Sequence, residues 1–219
     1  MKKIVYGVLA SAIFLSSGTA HEIWIEKDKK NEANIFFGEF ADGKKEGAKF
    51  LDRLKLDTFY PKDIVKDIKK EDNSVFLTLS KDSDLVLVEV GEPRLNKNTQ
   101  VTARKISYAK TGRTNTDVLA NFDLVPLEKN SNTFKLLFDK KPMPKTKVTV
   151  VSPTKWEKSF YTNEQGEVTI STPWIGTYLL EASFEDNTKG ELNGKAFDKT
   201  IYAITHTIKV EQGLPWETK

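Results

Sequence analysis

From Leu124 onward the chain falls into short runs of alternating or β-branched apolar residues, each closed by turn-forming residues. The runs are Leu124–Leu127, Thr133–Phe138, Lys147–Val151, Ser159–Thr162, Glu167–Ser171, Thr177–Phe184 and Thr200–Val210. Between them stand Lys141-Pro142-Met143-Pro144, Asn163-Glu164-Gln165-Gly166, Pro173-Trp174-Ile175-Gly176 and Asp186-Asn187-Thr188-Lys189-Gly190. Seven strands at this spacing predict a Greek-key sandwich, because each run has a length and period suited to a pleated, half-buried surface and to nothing helical. The first half reads the same way. His21–Glu26 alternates, Asn34–Phe40 is aromatic, and Val75–Leu79, Leu85–Val90 and Val101–Ala109 follow. Lys44–Leu56 is ambiguous: Phe50, Leu51 and Leu54 fit a helical stripe, which Gly43 and Gly47 weaken. The turn rhythm changes near residue 120. The expected architecture is therefore all-β, with two β-sandwich domains at 21–122 and 123–219, the second an Ig-like Greek key.

The first twenty residues read as an address. Lys2 and Lys3 precede an apolar run from Ile4 to Leu15, and Ser16-Ser17-Gly18-Thr19-Ala20 supplies a small-residue cleavage site. That is the pattern of a signal peptide. The run is too short to span a bilayer, which takes about 20 apolar residues, and no later stretch approaches that length. A soluble, exported protein in a periplasm is expected.

Composition removes several chemistries. The chain has no cysteine, so disulfides, thiolate metal sites and cysteine nucleophiles are excluded. Its 34 Lys+Arg against 31 Asp+Glu leave no concentrated basic excess for nucleic acid. No Gly-x-Ser-x-Gly elbow, phosphate-binding loop or dinucleotide fingerprint is present. The Lys-rich stretch Lys62–Lys70 reads as a solvated face. Trp24 and Trp174 have apolar neighbours and read as core, whereas Trp156 lies between Lys155 and Glu157 and reads as exposed.

What remains is nitrogen chemistry. Cleavage after Ala20 makes His21 the first residue, so one residue then carries both a free α-amine and an imidazole. The amine nitrogen and Nδ1 can close a six-membered chelate ring on Ni(II), Co(II) or Cu(II). Reference pKa values near 7.7–8.0 and 6.5 make both deprotonations cheap around neutral pH. The other histidine, His206, sits in the last expected strand on the face of Tyr202, Ile204 and Ile208. If first and last strands meet, it adds a third nitrogen in the manner of a histidine brace. Otherwise it is a core histidine held by a backbone carbonyl. Glu22, Glu39 and Asp42 are weaker carboxylate candidates. Glu22 points away from His21 along an ideal strand, and Gly38 and Gly43 allow the segment carrying Glu39 and Asp42 to turn inward.

Two resemblances add context. Residues 137–184 look like a transthyretin-like or carboxypeptidase-regulatory-like sandwich through Asp139-Lys140-Lys141-Pro142, Lys147-Val148-Thr149-Val150, Thr162-Asn163-Glu164-Gln165-Gly166-Glu167-Val168 and Gly176-Thr177-Tyr178. The precursor as a whole resembles the family called domain of unknown function 4198. The resemblance rests on Ala20-His21-Glu22-Ile23-Trp24, on Ile106-Ser107-Tyr108-Ala109-Lys110, and on the strand from Tyr202 to Val210. It implies an exported protein of a kind often encoded beside nickel or cobalt uptake transporters, and the partner expected is such a transporter or an outer-membrane receptor. The expected role is thus a non-enzymatic metal-binding accessory protein that captures nickel, cobalt or copper and hands it on. A copper oxidase with a histidine brace and a metal-free interaction module are the alternatives.

Overall fold

Alternation this regular leaves little room for helix, and the computed structural model, which describes residues 21–215, contains one helical turn. Its first half runs β1 (Glu22–Lys29), β2 (Glu32–Glu39), β3 (Lys44–Lys45), α1 (Ala48–Leu51), β4 (Phe59–Tyr60), β5 (Val65–Lys70), β6 (Val75–Leu79), β7 (Leu85–Val90), β8 (Arg94–Leu95) and β9 (Thr102–Thr111). The second half runs β10 (Phe122–Pro126), β11 (Thr133–Phe138), β12 (Lys141–Pro142), β13 (Lys147–Val151), β14 (Glu157–Tyr161), β15 (Glu167–Thr169), β16 (Gly176–Asp186), β17 (Gly190–Leu192), β18 (Lys195–Phe197) and β19 (Lys199–Val210). All seven strands expected after Leu124 form. β12 and the β17–β18 hairpin are additions to them.

Three sheets stack. The first has the order β1-β2-β6-β5 with β3 added to β2, and the third has β10-β11-β12 with β15 on β11. Between them lies the middle sheet, β14-β13-β16-β19-β9-β7-β4, with β8 on β9. Period-2 alternation assigns the faces of the middle sheet. Val86, Ile106, Tyr108, Ile204 and Ile208 face the third sheet and build a core with Phe122, Leu124, Phe134 and Leu136. Leu85, Leu87 and Ala109 face the first sheet and pack with Ile23, Ile25, Ile35 and Leu77. A strand covered on both sides loses its polar alternation, which is why Leu85–Val90 reads as an almost unbroken apolar run. Each fully buried Phe or Leu contributes about 1.5–3 kcal/mol of hydrophobic stabilisation.

The all-β expectation holds, with sandwich packing on each side of the middle sheet. The expected boundary between 122 and 123 falls inside β10. Moreover, β9 before it pairs in parallel with β19 well beyond it, from Ala103↔Lys199 to Thr111↔Thr207. The two packings therefore share one sheet.

The first sheet stands on its edge. β1 would be an edge strand with free carbonyls, a liability in any sheet. Instead Thr205 Oγ1 donates to Ile23 O at 2.5 Å, and Thr207 Oγ1 donates to Ile25 O. Thr205 and Thr207 point to the β1 side of β19, so their neighbour His206 points to the other. On the far face of β1, Trp24 packs with Phe36, Phe40, Val151 and Leu179. No helix among the described residues is long and apolar enough to cross a membrane. The expected leader, residues 1–20, and Trp216 lie outside the described residues.

Candidate functional site

His21 heads β1 on the Ile23 side, where its ring lies 5.3 Å from Phe37 and 6.0 Å from Phe50 between centroids. A tight reversal of the chain supplies its polar partners. After Glu39 the turn Phe40–Gly43 closes with Gly43 N–H donating to Phe40 O at 3.1 Å, and Gly43 takes φ +67°. β3 then returns beside β2 with Lys44 opposite Glu39 and Lys45 opposite Gly38. The strands come so close that a Cβ at Gly38 would sit 2.1 Å from Lys44 O. One residue further, Glu46 N–H donates to Phe37 O at 2.8 Å, which sets the Glu46 side chain beside His21.

The resulting geometry brackets the imidazole. Nε2 lies 2.6 Å from Glu46 Oε1, and Nδ1 lies 3.9 Å from Glu39 Oε1. Lys44 Nζ reaches the same two oxygens, at 2.9 Å from Glu46 Oε1 and 3.7 Å from Glu39 Oε1. Both carboxylates are mostly covered, the imidazole is about one-third exposed at 32%, and Lys44 is half exposed at 53%. The hydrogen bond from His21, followed by that from Lys44, holds the Glu46 carboxyl below the usual carboxylate range. The hydrogen bond and charge of Glu46, with help from Glu39, raise the Lys44 ammonium above its ordinary value. A neutral imidazole that donates from Nε2 to Glu46 keeps its lone pair on Nδ1, the atom that faces Glu39. A carboxylate behind the non-ligating nitrogen is the arrangement that fixes tautomer and orientation in histidine metal ligands.

His206 takes the other course open to it. It is fully buried on the third-sheet side of β19, its ring edge-on to Phe134 at 5.6 Å. Nε2 donates to Gly112 O at 2.5 Å, and Nδ1 has no partner. Burial, with the Lys110 charge second, pushes its pKa down to about 3. β1 lies on the opposite side of the middle sheet, so His206 does not join His21 and the three-nitrogen set does not form. Alternation grouped His206 correctly with Tyr202, Ile204 and Ile208. It carries no information about which sheet covers that face.

Among the weaker candidates, Glu39 is at His21 and the others are not. Glu22 points to the far side of β1, accepts from Phe40 N–H at 2.9 Å and faces Glu181 of β16. Burial first, then hydrogen bonding to and charge from Glu22, push Glu181 up to about 9. Asp42 is exposed in the Phe40–Gly43 turn. Its expected place is taken by Glu46, which sequence reasoning missed along with Lys44, Phe37 and Phe50. The signal was present in Gly38 and Gly43: a four-residue reversal at 40–43 pairs Lys44 with Glu39 and carries Glu46 back to Phe37. Among the described residues, no group of three or more His, Asp or Glu side chains is arranged to hold a metal. Trp24 is core at 1% exposure, whereas Trp156 is exposed and meets the half-buried Trp174 edge-on at 6.2 Å.

No family model matches the sequence, and no curated protein or solved structure is significantly similar to it. The family resemblance described above therefore rests on its quoted motifs.

Proposed function

We propose that the chain is exported, is cut after Ala20, and binds a divalent transition-metal ion as cargo through His21, delivering nickel, cobalt or copper to an uptake system from the periplasm. The observation that carries this reading is the bracketed imidazole, with Nε2 2.6 Å from Glu46 and Nδ1 3.9 Å from Glu39; the neutral tautomer that donates to Glu46 has its lone pair on Nδ1. Cleavage would add the α-amine, and the donor set then becomes amine nitrogen, Nδ1 and a Glu39 oxygen. Two borderline nitrogens and one carboxylate suit Ni(II), Co(II) and Cu(II), with copper favoured by intrinsic affinity. Lys44 is a stand-in cation: its ammonium already rests between the carboxylates at 2.9 and 3.7 Å, which marks this pocket as one that accepts positive charge. Glu46 acts as the orienting group, Glu39 as ligand, and Phe37 and Phe50 as the walls that hold the ring. The copper-oxidase alternative loses support, since its brace needs a second histidine at this end of the molecule. The delivery step and the uptake partner lean on the motif resemblance.

Intact mass of the exported protein, followed by calorimetric titration with Ni²⁺, Co²⁺ and Cu²⁺, tests the reading. The mass should begin at His21. His21→Ala should abolish binding, and Glu46→Gln should weaken it by about 10- to 100-fold, the usual effect of losing an orienting carboxylate. A mature chain starting at another residue, or a His21→Ala protein that titrates like wild type, overturns the proposal.

A further inference from the structure

We propose that Lys44 is a built-in competitor for the His21 site, occupying the carboxylate oxygens that a metal ion needs and leaving when the ion enters. The inference rests on the metal reading of His21 given above. Its basis is that one oxygen on each carboxylate serves both bases. Glu39 Oε1 is 3.7 Å from Lys44 Nζ and 3.9 Å from His21 Nδ1. Glu46 Oε1 is 2.9 Å from Lys44 Nζ and 2.6 Å from His21 Nε2. A dication bound by Nδ1 and Glu39 would stand within a few ångströms of the ammonium. Like charges at that range repel strongly in a pocket walled by Phe37 and Phe50.

The structure gives Lys44 both a fixed base and a free head. Its backbone is pinned opposite Glu39 by β3, so the side chain is always within reach of the carboxylates. Its side chain is half exposed, so withdrawal into solvent needs only rotation about side-chain bonds. Lys45 cannot take over the role. Alternation turns it to the opposite face, where its ammonium lies 3.4 Å from the Phe36 ring centroid. A tethered cation of this kind lowers affinity below what the donors alone would give. It also returns to neutralise Glu39 and Glu46 once the ion departs. Both effects suit a carrier, which must release what it binds.

The experiment uses the mature chain beginning at His21, as wild type, Lys44→Gln and Lys44→Arg, titrated with Ni²⁺ by calorimetry. Peptide mapping of amine acylation, with and without saturating Ni²⁺, reports the accessibility of Lys44 separately from the α-amine. Lys44→Gln should bind Ni²⁺ about fivefold tighter, the effect of removing one or two partly exposed ion pairs, while Lys44→Arg stays near wild type. Acylation of Lys44 should rise at least about twofold when Ni²⁺ is present, because the amine leaves its carboxylates. If wild type binds and Lys44→Gln binds no tighter, or if Ni²⁺ leaves Lys44 acylation unchanged or slows it, the competitor is refuted while the metal site stands. If neither protein binds Ni²⁺, both proposals fall together.

Discussion

Removing the carboxylate of Asp123 should be among the most damaging single changes in the protein. Lys110 and Asp123 are both completely buried between the middle and third sheets, with Nζ donating to Asp123 Oδ1 at 2.5 Å and to Leu124 O at 3.2 Å. The other oxygen, Oδ2, accepts from Leu119 N–H at 2.8 Å. Asp123→Ala thus strips a buried cation of its counter-charge and also orphans a backbone donor. Breaking one side of a buried pair costs about 3–5 kcal/mol. For a chain of this size that is about 6–20 °C in Tm, and a large share of a typical total stability of about 5–15 kcal/mol. Urea unfolding followed by tryptophan fluorescence would measure it, since Trp24 is core and Trp156 is exposed. Lys110→Met with Asp123→Leu supplies the control. It removes both charges at similar volume, so it should lose less than Asp123→Ala alone. A loss below about 1 kcal/mol for Asp123→Ala, or a double variant as damaged as the two single losses added, would refute the argument that an uncompensated charge is the cause.

Three further outcomes are expected. Between about pH 3 and 6.5 the unfolded chain binds the proton that buried His206 refuses, so His206 makes stability climb with pH across that window. Buried Glu89 acts oppositely: burial raises its pKa to about 7, and what it contributes fades as pH rises from the ordinary carboxylate range through 7. Urea midpoints at pH 5 and 8 should show His206→Leu gaining on wild type at the acid end and Glu89→Gln gaining at the alkaline end. Gly38→Ala should weaken Ni²⁺ binding with far-ultraviolet dichroism unchanged, because its Cβ would meet Lys44 O at 2.1 Å and force β3, with Glu46, away from His21. Gly47→Ala, whose Cβ meets nothing nearer than Asp72 O at 3.5 Å, should leave binding intact.

The strands were legible because a residue's face in a strand follows from counting by two. β1, β2, β7, β13, β16 and β19 all lie where alternation or β-branched runs put them. Lys62–Lys70, expected only as a solvated face, holds an edge strand, β5, whose residues after Val65 are exposed. Pairing between distant strands was not legible. Nothing local to Thr102–Thr111 or Lys199–Val210 says that they lie side by side, and that single parallel contact makes one middle sheet serve both halves. The same blindness decided the fate of the histidines. His21 was proposed from the chemistry of a terminus expected after cleavage, which needs no fold. Whether His206 could reach it depended on which side of β19 received β1, a fact held by the hydroxyls of Thr205 and Thr207. Lys44–Leu56 was ambiguous for a physical reason: two strand residues, a glycine and one helical turn fit in thirteen residues, too little of either for a period to show.

The β9–β19 ladder also governs when the protein can become itself during synthesis. β9 emerges early, yet its neighbour arrives only with the final strand of the described chain, and closing so long a loop is slow. Until then β9 forms the raw margin of an unfinished sheet, so a nascent fragment ending near residue 122 should stay open, a quarry for chaperones and proteases.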